Sequence, residues 1–149
     1  MVRMYSARGG GLMALPVVEY SRPGDLLSYT VGATPVVAGN LVELSGSRLV
    51  IPAQADSTKV VGIAVFDGAT GDMISVMGGA AIVPMVNSAG GTVTAGTKVV
   101  ADAAGTFKGV EAYTGTYVAA EMTISQRIIG MAIEDILANA TGRVMLDVV

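Results

Sequence analysis

Val60-Val61-Gly62-Ile63-Ala64-Val65-Phe66-Asp67 and Ile128-Ile129-Gly130-Met131-Ala132-Ile133-Glu134-Asp135 are one pattern written twice. Each is an apolar, largely β-branched run broken by a single glycine and closed by an acid. An uninterrupted apolar run of this length reads as a strand buried on both faces. A glycine within it marks a place where a crossing strand comes close or a barrel corner bends. The likeness extends outward. Val37-Ala38-Gly39-Asn40-Leu41-Val42 precedes the first run, and Thr94-Ala95-Gly96-Thr97-Lys98-Val99 precedes the second. After them come Ala69-Thr70-Gly71, ahead of a strand at Met73, and Ala140-Thr141-Gly142, ahead of one at Val144. The offset between copies grows from 57 to 68 to 71, which places an insertion in the second copy, mostly between Val110 and Arg127. Self-similarity of this kind is the first thing to seek in a sequence, because it sets the architecture.

Between these blocks the chain reads as strands and tight turns. Leu26–Val31 is a strand entered through Pro23-Gly24-Asp25, and Leu41–Leu44 and Arg48–Ile51 flank Ser45-Gly46-Ser47 as a hairpin. Met73–Met77, Ala80–Met85, Lys98–Ala101, Thr106–Val110, Ile128–Ile133 and Arg143–Val148 complete the set. Helix is expected only as a turn or two at Ala119–Met122 and Glu134–Ala138. Neither half covers both faces of its apolar strand alone, so the two are expected to pack together. The fold predicted is all-β: a compact β-barrel or sandwich with an internal repeat, little helix and an extended N-terminal arm. Residues 1–16 form the flexible arm and residues 17–149 a single β domain, with half-repeats at roughly 36–77 and 93–149.

Composition narrows the function. The 149 residues include no cysteine, histidine or tryptophan. Thiolate nucleophiles, disulfides and zinc–thiolate sites are therefore absent together. Hydrophobic residues make up 52% and charged residues 14%, against about 25% charged in an ordinary domain. The longest uncharged stretch, Met73–Thr97, is broken by Gly78, Gly79, Pro84, Asn87, Gly90 and Gly91, so no membrane span is expected. A surface largely covered by partners is the remaining reading of so little charge. A net charge of −3 gives no electrostatic footprint for nucleic acid.

Chemistry is hard to place. Without histidine, acyl transfer would need a Ser–Lys pair, and Lys59, Lys98 and Lys108 stand in no recognisable context for one. Gly9-Gly10-Gly11 lacks the Gly-Lys-Ser/Thr of a phosphate loop. Asp67-Gly68-Ala69-Thr70-Gly71-Asp72 carries two acids in a glycine turn. It lacks the ligand spacing of a calcium loop, and an acidic surface turn is the simpler reading. No catalytic residue, metal or cofactor is expected. The basic, glycine-hinged arm, with Arg3, Tyr5, Arg8, Leu12 and Leu15, is the segment suited to ordering against a partner surface or a neighbouring copy.

Arg22-Pro23-Gly24-Asp25, Val37–Val42, Val61-Gly62-Ile63-Ala64, Gly71–Val76, Ala95-Gly96-Thr97 and Ile129-Gly130-Met131-Ala132, in this order, resemble the capsid decoration (cement) proteins of tailed bacteriophages. Asn40 and Thr97 stand where that family often has Asp. The resemblance implies a β-tulip-like domain that binds the outside of the phage head, commonly as a homotrimer, and clamps neighbouring major capsid protein subunits. It implies a place on the capsid exterior of the virion, with no nucleic-acid or membrane partner and no catalytic residues. A head-fibre base, spike or tail component is the nearest alternative. A small β-barrel ligand-binding module or enzyme is a more distant one.

Overall fold

The computed structural model describes residues 20–21, 26–110 and 126–148. The N-terminal arm, the turn at Arg22–Asp25 and the helical turn expected at Ala119–Met122 lie outside the described residues. Eleven strands are described: β1 (Tyr20–Ser21), β2 (Leu26–Val31), β3 (Leu41–Gly46), β4 (Leu49–Pro52), β5 (Val60–Ala64), β6 (Met73–Met77), β7 (Gly79–Val86), β8 (Lys98–Ala101), β9 (Phe107–Gly109), β10 (Ile128–Ala132) and β11 (Thr141–Val148). A single 3-10 turn, Ala103–Gly105, separates β8 from β9.

Strands β2-β4-β3-β5-β6 close into a barrel, and the other six form a sheet in the order β1-β7-β11-β10-β8-β9. The two orders coincide when β2 is matched to β7, β3 to β8, β4 to β9, β5 to β10 and β6 to β11. Even the parallel pair that closes the barrel, β2 on β4, has a vestige in the second sheet, a single parallel bridge between Asn87 and Phe107. Ile63 pairs with Met77, and its counterpart Met131 pairs with Met145. The repeat is therefore structural. Instead of the two halves merging into one barrel, the first closes on itself and the second stays nearly open.

Turn hydrogen bonds repeat atom for atom. Gly39 N–H donates to Ala64 O and Gly96 N–H to Ala132 O, both at 2.8 Å. Asp67 Oδ1 accepts from Ala38 N–H and Asp135 Oδ1 from Ala95 N–H, again both at 2.8 Å. The acid that closes each run thus anchors the preceding turn.

These bonds correct the third repeat block. Val76 lies opposite Ala64 and Val144 opposite Ala132, so the offset stays at 68 through β6 and β11. Gly142 is the counterpart of Ile74, and Gly68 that of Ile136. Each half holds one glycine and one isoleucine at this contact, in opposite order. A Cβ on Gly68 would sit 2.6 Å from Ile74 Cγ2, and one on Gly142 would sit 2.4 Å from Ile136 Cγ1. The repeated Ala-Thr-Gly tripeptide is a coincidence three residues out of register.

The glycines within the two defining runs do what the sequence requires. A Cβ on Gly62 would lie 2.0 Å from Met77 O, and one on Gly130 would lie 2.1 Å from Met145 O. Distances this short exclude any side chain, so the neighbouring strand crosses in direct contact with the glycine backbone.

The barrel is filled by Val31, Val36, Val42, Val50, Ala64, Ile74 and Val76. Matched positions in the second sheet are Asn87, Val93, Val99, Phe107, Ala132, Gly142 and Val144, of which all the apolar side chains are buried. The outward side of the barrel then supplies Leu41, Ile63 and Met77 to the second core, beside Ala81, Val83, Met85, Phe107 and Leu146. The 3-10 turn ties the halves together: Asn40 Nδ2 donates to Ala104 O (3.1 Å), and Gly105 N–H donates to Ala53 O (3.0 Å).

Two further expectations are corrected. Glu134–Ala138 is not helical. Ile136 makes an antiparallel bridge to Val93, and Glu134 accepts the Arg143 N–H at 2.7 Å, so tertiary bonds override a helix-compatible sequence. The run Val60–Phe66 is not buried throughout either, because Phe66 is 61% exposed.

Candidate functional site

Arg3, Tyr5, Arg8, Leu12 and Leu15 all lie outside the described residues. The acidic turn is explained by backbone capping: Asp67 holds Ala38 N–H, and Asp72 Oδ2 accepts Ala69 N–H at 2.9 Å. Among the described residues no three His, Cys, Asp or Glu side chains gather closely enough to hold a metal ion.

One polar cluster brings a serine near a lysine. Ser88 Oγ donates to the Asp102 carboxylate and lies 3.0 Å from Phe107 O. Lys108 Nζ is paired with Asp56 Oδ2 at 3.1 Å. The Ser88 hydroxyl, helped by Ala103 N–H and the Lys108 charge, holds the Asp102 carboxyl below its usual value against the opposing effect of desolvation. A carboxylate with lowered proton affinity is a poor general base. Ser88 spends its only proton on it, and the lysine is committed elsewhere. The cluster therefore fixes the loop after β7 to the turn after β8 instead of activating a nucleophile.

Asn87, the counterpart of Val31, is fully buried and satisfied. Its amide nitrogen donates to Gly91 O, Ile136 O and Leu137 O (3.0–3.2 Å), and its oxygen accepts from Ala89 N–H at 2.9 Å. Where the first half closes by a parallel strand pair, the second is fastened by this side chain.

What the surface does offer is apolar area. Along β11 the residues alternate strictly, Gly142, Val144 and Leu146 inward and Thr141, Arg143, Met145 and Asp147 outward. The register sets Ile82, Met145, Met131 and Lys98 in a row across β7, β11, β10 and β8. Pro84 lies opposite Arg143 in the next row, and the Ile133 N–H donates to Arg143 O at 3.2 Å. Met145, Ile133 and Val86 are each 40% exposed on this face. A second group is Val37 and Phe66, on turns at one end of the barrel that are joined by the Val36–Gly68 bridge, with Met73, the first residue of β6. The alternation in β11 signals the first group in the sequence, but its neighbours across the sheet follow only from the register.

A fold of this kind has been seen before. The N-terminal base of the head fibre gp8.5 of bacteriophage phi29 superposes with a TM-score of 0.59 at 15% identity, covering 82% of this chain and 92% of that one. At that identity the likeness is one of fold. Among curated proteins none matches. The model of the phage cement protein family matches residues 21–148, nearly the whole β region, and with that match the chain belongs to the phage cement protein family.

Proposed function

We propose that this protein binds the outer surface of a phage head and stabilises the lattice of the major capsid protein, as a structural component without catalytic activity. The observation that carries the reading is the family match over residues 21–148. The fold supports it. Two packed β units with rigid, hydrogen-bonded turns make a stiff body, and large apolar side chains stand on its outside. A stiff body that bridges neighbouring subunits resists their separation, and several weak contacts in one assembly add up through avidity. The protein acts as a homotrimer in this reading. Its N-terminal arm, through Arg3, Tyr5, Arg8, Leu12 and Leu15, reaches the shell or an adjacent copy.

Purified protein is expected to bind expanded, mature heads and not the immature procapsid, and to raise the temperature at which heads open. Deleting residues 1–15 should leave the melting temperature of the β domain nearly unchanged and weaken occupancy. Equal occupancy by the truncated chain would remove the arm from the attachment surface. The fold shared with the phi29 head-fibre base favours a second reading, a fibre base. That protein would bind heads without stabilising them.

A further inference from the structure

We draw no further inference here: the strongest candidate, the half-exposed apolar outer face of β7, β11 and β10 around Met145 and Met131, carries none because nothing in the structure shows what covers it.

Discussion

Exchanging Ile136 and Gly142 gives the second half the arrangement that the first half already uses at Gly68 and Ile74, and the outcome can be worked out beforehand. Ile136→Gly removes four buried carbons, about 3 kcal/mol at ~0.8 kcal/mol each. Added backbone freedom brings the loss to roughly 4 kcal/mol. Gly142→Ile alone forces carbon into occupied space, because its first atom already lies 2.4, 2.7 and 2.9 Å from three carbons of Ile136. Overpacking of this kind costs about 1–3 kcal/mol, and here the upper end applies. The double substitution restores the volume. Neither Gly68 nor Gly142 has a positive φ, so isoleucine fits the backbone. The exchanged protein should lie within about 1.5 kcal/mol of the unmodified chain. Single losses of about 4 and 3 kcal/mol against about 1.5 kcal/mol for the double give a coupling of at least about 5 kcal/mol, above the usual range. Urea unfolding of the four proteins measures it. Thermal midpoints should fall by roughly 2–4 °C per kcal/mol in the single variants and recover in the double. Additive losses, with the double variant worse than either single, would refute the alignment of the two halves.

Asn87→Val installs the residue that the first half has at the matched position, yet it should destabilise by about 2–3 kcal/mol, because Gly91 O and the Ala89 N–H lose their partner and the Ile136 and Leu137 carbonyls keep only their backbone donors. A loss below ~0.5 kcal/mol in thermal unfolding would mean the amide fastens nothing. Ser88→Ala should cost about 1 kcal/mol near neutral pH. Since Asp102 binds its proton more weakly in the folded protein than in the unfolded chain, its stabilisation is full above the ordinary carboxylate value of 3.8 and disappears as pH falls through the lowered folded value. The difference between Ser88→Ala and the unmodified protein should therefore shrink on acidification. A difference that stays constant down to acid pH would separate the hydroxyl from the carboxylate.

The strands were legible where turn residues bracket them. Leu26–Val31, Met73–Met77 and Lys98–Ala101 have the bounds that the pattern predicts. The repeat was legible because Gly62 and Gly130 meet a backbone carbonyl that tolerates no side chain. It blurred at the third block because packing conserved the summed volume of Gly68 and Ile74 and not the identity at either place. Glu134–Ala138 misled because glutamate, leucine and alanine suit a helix, while the bonds that claim this segment come from outside it, from the distant Val93 and from Arg143 in β11. The surface was the least legible part. Met131, Met145 and Ile82 become neighbours only once three strands are set in register.

Barrel closure also bears on the hazard of edge-to-edge polymerisation. With 52% hydrophobic and 14% charged residues, it has little like-charge repulsion to keep copies apart in the wrong register. Unpaired strand edges would then template fibres. The first half has none, since its five strands return to their starting point. Among the described residues the second sheet ends in β1 and in β9, which is three residues long with Lys108 at its centre. An edge as short and charged as β9 recruits a foreign strand poorly. Among the described residues the barrel's main-chain hydrogen bonding is consumed within the molecule, so contacts with other proteins fall to side chains on its faces, whereas an open strand edge would go on adding copies.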